Sequence, residues 1–181
     1  MEDDFLIIAI TSPSFIDNEA EKINDILSQD KAHLLHIRKP DSSFDQVRNL
    51  VSMIDPVFYP RIKLHDHFGL LNIYRLGGVH INSRNPVPHP EAVSVSKSFH
   101  SLKEIDDVSG LEYFFISPVF DSISKEGYKA AFNLEELAEK IKGKPAVALG
   151  GITPDKFPFL KSLGFRGAAL LGHFFPPQIS V

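Results

Sequence analysis

The sequence predicts one α/β domain over residues 1–181, folded as a (β/α)8 TIM barrel. Eight short apolar runs alternate along the chain with segments in which apolar residues recur at helical spacing. Most of the runs are continuously apolar, as in parallel strands that are covered on both faces. The chain has 181 residues, fewer than the roughly 250 of a typical barrel, so the predicted barrel is lean. A doubly wound open sheet is the structural alternative.

The predicted strands cover residues 5–10, 34–37, 62–64, 78–81, 92–99, 113–119, 145–149 and 167–171. Helix starts are indicated by a capping-box pattern of Ser43 with Gln46 and by Asn133, which can cap a later helix. Thr153 followed by Pro154 indicates another start. Helix 4 and the final helix are expected to be shortened or missing. The segment after strand four is short and rich in proline, and no helical pattern follows strand eight.

The composition is that of a soluble globular protein, with 43% hydrophobic and 23% charged residues. A formal net charge of −4 argues against a nucleic-acid partner held by a strong positive field. The absence of cysteine excludes disulfides, thiolate nucleophiles and cysteine metal sites. The acidic start lacks the basic segment of a secretory signal, and no apolar run approaches the roughly 20 residues of a membrane span. We therefore expect a cytoplasmic protein with no membrane partner.

Polar residues cluster where the predicted strands end, which is where barrels of this type place their active sites. Ser98 and His100 close the fifth strand, and a histidine there can act as acid or base near neutral pH. Gly150, Gly151 and Gly172 follow the seventh and eighth strands, whose loops commonly bind phosphate in such barrels. Together these residues predict an acid–base group beside a phosphate site.

A second anion site is predicted after the sixth strand. There Ser122, Ser124 and Lys125 combine two hydroxyl donors with an ammonium group. On its own this pattern is more typical of a solvated turn. Its place at a strand end, among the other polar strand ends, favours anion binding.

The run of His65, Asp66 and His67 after the third strand does not predict a zinc site. Neighbouring residues on a strand point to opposite faces, so the three side chains cannot converge without a bend. Asp66 alone is a candidate Mg²⁺ ligand, because this ion typically takes one or two carboxylates together with substrate oxygens.

Six short motifs occur in order along nearly the whole chain. They are LHIR at 35–38, LHD at 64–66, GVHI at 78–81, SFHS at 98–101 with Glu104, SPVF at 117–120 with SISK at 122–125, and ALGGI at 148–152. As an ordered set they resemble the family of thiamine phosphate synthase and its TenI-like relatives, which include thiazole tautomerase. The resemblance implies a (β/α)8 barrel, in agreement with the strand count.

In the synthase of that family, a pyrimidine diphosphate loses pyrophosphate and a thiazole phosphate nitrogen attacks the resulting carbocation. The resemblance implies that Ser122, Ser124 and Lys125 hold the pyrophosphate and that Asp66 binds Mg²⁺. It also implies that the glycines after strands seven and eight hold the thiazole phosphate.

Further substrate or phosphate contacts are implied for strands two and three. Arg38 is retained, but His36 stands where the family usually has glutamine, and His65 stands where it usually has asparagine. We expect all three side chains to contact the substrate or its phosphate.

Other departures deplete the pyrophosphate and metal half of the site. The lysine that usually follows the strand-two arginine corresponds to Pro40, and Lys39 is expected to point to the other face. A second metal-binding aspartate corresponds to Asn85. The half of the site that holds the thiazole phosphate keeps its residues.

This asymmetry favours the TenI-like branch. In the tautomerase, a histidine of the strand-five Ser-x-His motif moves a proton on a thiazole carboxylate phosphate and produces the aromatic isomer. His100 matches that histidine, and Ser98 is its candidate catalytic neighbour. This reaction requires no cofactor, whereas a synthase would require Mg²⁺.

Two alternatives stay open on the sequence: a synthase with a remodelled Mg²⁺ and pyrophosphate site, and a non-catalytic regulator that binds a phosphate ligand. The expected small-molecule partner is a thiazole phosphate, joined by a pyrimidine diphosphate if the chain is a synthase. A homodimer is also expected, because missing helices leave barrel surface uncovered.

Overall fold

A computed structural model describes residues 5–121 and 132–176 of the chain. Eight parallel strands form a closed barrel in chain order, as the sequence predicts, and the last strand pairs with the first. The strands are β1 (Leu6–Ile10), β2 (Leu34–Ile37), β3 (Ile62–Leu64), β4 (Gly78–Ile81), β5 (Val95–Phe99), β6 (Tyr113–Ile116), β7 (Ala146–Leu149) and β8 (Gly167–Leu170).

The helical layer is thin. The α-helices of the described residues are α1 (Glu19–Ser28), α2 (Phe44–Ser52), α3 (Leu134–Ile141) and α4 (Phe157–Ser162). Short 3₁₀ segments at Pro56–Arg61, Phe68–Asn72, Leu102–Asp106 and Pro154–Lys156 complete it. No helix lies between β4 and β5, and none lies in the described residues after β8, so the prediction of a lean barrel is confirmed.

Local sequence explains where these helices start. The Ser43 side chain accepts from the backbone N–H of Gln46, whose side chain accepts from Ser43, so the predicted capping box starts α2. Asn133 accepts from two N–H groups of the first turn of α3. After Thr153 a 3₁₀ turn comes first and α4 starts late, at Phe157, with Pro158 in its first turn, as expected from a proline inside the predicted helix.

The core has two layers. The larger one lies between the outer faces of the strands and the helices, and it includes residues such as Ile23, Leu35 and Leu137. The smaller one fills the barrel interior, where its buried members are Ile8, Ile10, Tyr113, Phe115, Val147 and Ala169. These come from β1, β6, β7 and β8, so one side of the interior is largely apolar.

The opposite side of the interior is polar. It is lined from β2 to β5 by buried residues that carry nitrogen or hydroxyl groups, namely His36, Lys63, His80 and Ser96. Among the described residues, no helix is both long enough and apolar enough to cross a membrane.

Candidate active site

His100 follows β5 directly and is anchored by two hydrogen bonds. Its Nδ1 lies 2.9 Å from the carbonyl oxygen of Ser117, which follows β6. Its backbone N–H donates to the Glu104 carboxylate at 2.7 Å. Because a carbonyl oxygen can only accept, Nδ1 carries the hydrogen and the neutral ring keeps its lone pair on Nε2. The exposed ring of His100 is therefore held in the tautomer of a base.

The structure does not join Ser98 to His100 by a hydrogen bond. The hydroxyl of Ser98 lies 2.8 Å from Nε2 of His80, inside the barrel. Alternate residues of a strand share a face, but His100 lies beyond the last residue of β5, where the chain turns into the Ser101 capping box. The side chain of Ser98 is therefore directed at the barrel interior, although Ser98 lies only two residues before His100 at the mouth.

Three histidines meet in that interior. Nδ1 of His36 lies 2.8 Å from Nε2 of His65, and Nε2 of His36 lies 2.6 Å from the Tyr113 hydroxyl. Nδ1 of His80 lies 2.9 Å from the Ser96 hydroxyl, and the His65 and His80 rings stack with centroids 4.2 Å apart. His36 has no exposed surface and His65 has 6%, so His65 lies nearer to any ligand at the mouth.

Burial and neighbouring positive charge keep these rings neutral. Burial is the main reason that the pKa of His36 lies well below its ordinary value, and it has the same effect on the pKa of His65. Burial, with the charges of Lys63 and Arg38, lowers the pKa of His80 to about 3. All three rings are therefore uncharged imidazoles at neutral pH.

The free energy of unfolding is expected to fall as the pH drops below about 6.5, because His36, His65 and His80 bind protons in the unfolded chain but stay neutral in the folded one. Each of these histidines adds a slope of about 1.4 kcal/mol per pH unit. For His80 this slope continues down to its folded-state pKa of about 3. Urea unfolding between pH 7.5 and pH 5, with a chelator present, measures the slope. His65→Asn should reduce it and His100→Ala should not. Equal slopes in wild type and His65→Asn would contradict the prediction.

Asp66 is held by two side chains from the loop after β4. The Arg84 guanidinium donates to both carboxylate oxygens, with Nη2 at 3.0 Å from Oδ1 and 3.3 Å from Oδ2. The Asn85 amide donates to Oδ1 at 3.1 Å. These residues do not fit a magnesium site, because the carboxylate is already neutralised and position 85 offers it a donor in place of a second carboxylate.

His67 lies beyond the end of β3, has a positive φ of 57° and points towards the loop before α2. Its Nε2 lies 2.8 Å from the Ser42 carbonyl oxygen, in the loop before α2. Since His65 points into the barrel, the three consecutive side chains do not converge. The side chains of His65, Asp66 and His67 thus face three different partners, His36, Arg84 and Ser42.

Lys39 also points away from the site, as predicted. Its ammonium donates to the Glu19 carboxylate at 2.7 Å and to the carbonyl oxygens of Ser12 and Ser14 at 2.8 Å. The side chains of Lys39 and Glu19 are 0% and 2% exposed. Lys39 therefore ties the loop after β1 to α1 and does not reach a ligand at the mouth.

Gly150 and Gly151 are required by close backbone approach. Both have positive φ, 96° and 62°. A Cβ at Gly150 would lie 2.9 Å from Pro118, and one at Gly151 would lie 2.3 Å from the Asp121 carbonyl oxygen. The two glycines thus let the loop after β7 pack against the loop after β6. At Gly172, by contrast, a Cβ would meet no atom within 4 Å.

Arg38 follows β2 and is partly exposed, with its backbone N–H donating to the Thr11 hydroxyl at 3.0 Å. Its positive charge contributes to the lowered pKa of both His65 and His80. The predicted anion-binding residues Ser122, Ser124 and Lys125 lie outside the described residues.

The sequence pattern alone did not identify the partners of these groups. Arg84 lies in a proline-rich segment with no periodicity, so nothing in the sequence connects it to Asp66. His80 and Ser96 belong to the polar residues near the ends of the predicted strands, but the sequence pattern does not pair them with each other. A usable signal was strand alternation, which places His36, His80 and Ser96 at inward positions of β2, β4 and β5 and so predicts that they meet inside the barrel.

Comparisons with known proteins agree with this architecture. Residues 7–174 match the sequence family described as thiamine monophosphate synthase. A thiamine phosphate pyrophosphorylase from Bacteroides thetaiotaomicron superposes with a TM-score of 0.80 at 34% identity, over 93% of this chain and 83% of that one. A thiamine phosphate pyrophosphorylase from Pyrococcus furiosus has a TM-score of 0.78 at 17% identity, over 97% and 90% of the two chains, which shows the shared fold.

Curated relatives named thiamine-phosphate synthase match shorter stretches. The protein from Actinobacillus succinogenes is 26% identical over 120 residues, and that from Leuconostoc citreum is 25% identical over 137 residues. These matches cover 60% and 70% of this chain but 54% and 64% of the relatives, so the chain spans less than two thirds of either. The family match over residues 7–174 and the similarity to the Bacteroides structure show that the chain belongs to the thiamine monophosphate synthase family.

Proposed function

We propose that this chain is a TenI-like thiazole tautomerase, an isomerase that binds a thiazole carboxylate phosphate at the barrel mouth. The observation that carries the proposal is the tautomer of His100. Its Nδ1–H is committed to the Ser117 carbonyl oxygen, so its exposed Nε2 is a base of fixed orientation.

The reaction needs one proton to leave one carbon of the thiazole and one proton to arrive at another. His100 accepts the first proton on Nε2 while the electron pair of the broken C–H bond shifts through the ring system. The imidazolium then returns a proton at the second carbon, which leaves the elemental composition of the substrate unchanged. The Ser117 carbonyl oxygen stabilises the intermediate imidazolium through its bond to Nδ1–H.

Phosphate binding is assigned to the loops after β7 and β8. The tight packing at Gly150 and Gly151 fixes the first loop, and the space around Gly172 lets a ligand approach the backbone of the second. The positive charge of Arg38 at the mouth complements a phosphate or a carboxylate. Ser122, Ser124 and Lys125 remain proposed anion ligands on sequence grounds, in the loop that follows β6.

The contacts of Asp66 and Lys39, in the half of the site where a synthase would hold Mg²⁺ and pyrophosphate, support an isomerase over a transferase. Arg84 and Asn85 occupy the Asp66 carboxylate, and Glu19 holds Lys39 away from the mouth. A leaving pyrophosphate would therefore lack both the metal ligands and the lysine that the family resemblance implies for it. A tautomerase requires neither.

Proton exchange on the thiazole phosphate is accordingly expected to be independent of Mg²⁺. Deuterium incorporation followed by NMR should proceed at the same rate in EDTA and in added Mg²⁺, because the Asp66 carboxylate is paired with Arg84. Inorganic salt of matched ionic strength is the control. A rate that rises with Mg²⁺ but not with that salt would contradict the prediction.

A thiamine phosphate synthase is the second candidate, and it is favoured by the names of the relatives with the same fold. Its test is Mg²⁺-dependent release of pyrophosphate from the pyrimidine diphosphate in the presence of thiazole phosphate. Release at a rate above that of proton exchange would reverse the ranking. The homodimer stays a prediction, which light scattering of the purified chain tests.

A further inference from the structure

The polar side of the barrel interior holds three imidazoles that converge from neighbouring strands. His36 lies in β2, His65 follows β3 and His80 lies in β4. One ligand nitrogen from each lies within 4.8 Å of the other two. We propose that His36, His65 and His80 bind one transition-metal ion, with Zn²⁺ the expected ion.

The contact between His36 and His65 is the centre of this site. Their nitrogens lie 2.8 Å apart, so two lone-pair positions face each other and share one proton. A metal ion can replace that proton. Tetrahedral Zn²⁺ with Zn–N distances of about 2.0–2.1 Å separates its nitrogens by about 3.3 Å. The two rings therefore need to move apart by only about 0.5 Å.

The far nitrogens of two rings have the partners that metal-bound histidines use. Such a histidine donates its second N–H to an oxygen, which fixes the ring and its tautomer. Nε2 of His36 faces the Tyr113 hydroxyl at 2.6 Å, and Nδ1 of His80 faces the Ser96 hydroxyl at 2.9 Å. Ser96 can accept this hydrogen because its own hydroxyl is directed at the Val79 carbonyl oxygen. The nitrogens left for a metal are Nδ1 of His36 and Nε2 of His65 and His80.

The third ligand requires one rearrangement. The His65 and His80 rings are stacked at an interplanar angle of 19°, and parallel rings cannot both direct a nitrogen at one ion. His80 therefore has to turn and give up its bond to the Ser98 hydroxyl. Ser98 is only partly buried, so water can replace that bond and can also fill the fourth coordination position.

Donor type and charge decide which ion fits. Imidazole nitrogens without a carboxylate select zinc, copper or nickel over magnesium or calcium. The cations nearest to the cluster are largely compensated. Lys63 is paired with Glu112 at 2.7 Å, and Arg84 is paired with Asp66. Arg38 has no ion-pair partner among residues 5–121 and 132–176, and it follows β2 on the mouth side, where a metal-bound hydroxide or an anionic ligand would offset its charge.

The test is metal binding to the untagged full chain, so it does not depend on the proposed function. Calorimetric titration with Zn²⁺ after chelator treatment is expected to show one ion per chain. Cobalt substitution is expected to give the intense visible absorption of tetrahedral Co²⁺. His36→Gln and His65→Asn should each weaken zinc binding by at least tenfold, and Tyr113→Phe should weaken it by about 10–100-fold through the loss of its support for His36.

His89→Ala is the matched control, because this histidine lies in the segment after β4, where its Nδ1 accepts from the backbone N–H of Glu91 in the same loop. It should bind zinc like the wild type. The proposal is overturned if the wild type takes up no zinc, or if the cluster variants bind it as tightly as His89→Ala does. If a cluster variant does not fold, the wild-type cobalt spectrum decides, and a weak octahedral spectrum contradicts the proposal.

Discussion

Replacing His100 by alanine is expected to lower the rate of proton exchange on the thiazole phosphate by roughly 10²–10⁴-fold, which is the usual contribution of a positioned general base. The KM for the ligand should change little, because phosphate binding is assigned to the loops after β7 and β8. Deuterium exchange followed by NMR measures the rate, and calorimetry of the same variant measures the affinity.

His89→Ala serves as the control for a lost surface imidazole, and it is expected to keep the wild-type rate. A second variant, His100→Gln, tests the role more narrowly. Glutamine can still donate a hydrogen bond to the Ser117 carbonyl oxygen but has no basic nitrogen. It should be as slow as alanine. Wild-type exchange in either His100 variant would remove His100 from the mechanism and would refute the proposed tautomerase.

The pattern of apolar runs predicted the barrel well, because every strand of a closed parallel barrel has to bury apolar side chains. β2, β3 and β4 were predicted with the observed bounds, because the apolar residues that flank His36, Lys63 and His80 are buried on the outer face of the strands. The predicted fifth strand was too long. Its first residues, from Ala92, lie in the loop that replaces a helix, and β5 begins at Val95. Strand ends are set by the neighbouring register, which one strand's own sequence does not encode.

The site was only partly predictable for a related reason. The direction of Lys39 followed from the alternation along β2, so it could be predicted without coordinates. The pairing of Asp66 with Arg84 could not, because Arg84 is brought back by a loop of irregular backbone. The meeting of His36 with His65 depends on how far adjacent strands are shifted, and that shift is a property of the closed barrel.

The displaced lysine has a consequence for stability. Glu19→Ala is expected to lower the free energy of unfolding by about 3–5 kcal/mol, because it leaves the buried Lys39 ammonium without its carboxylate. Burial already lowers the pKa of Lys39 and the Glu19 carboxylate opposes that shift. Urea unfolding at pH 7 measures the loss. Arg48→Ala, which removes an exposed pair with Asp45, should cost less than about 1 kcal/mol.

The double variant Glu19→Leu with Lys39→Met distinguishes the net contribution of the ion pair to the free energy of unfolding from the cost of removing only one of its charges. Both charges are then absent, so no ion is stranded in the interior, and stability should return close to that of the wild type. The carbonyl oxygens of Ser12 and Ser14 lose a donor in this variant, but their loop can admit water. If Glu19→Ala costs no more than Arg48→Ala, the ammonium is hydrated in solution. Lys39 would then be free to swing towards the mouth, where its ammonium could pair with a leaving pyrophosphate.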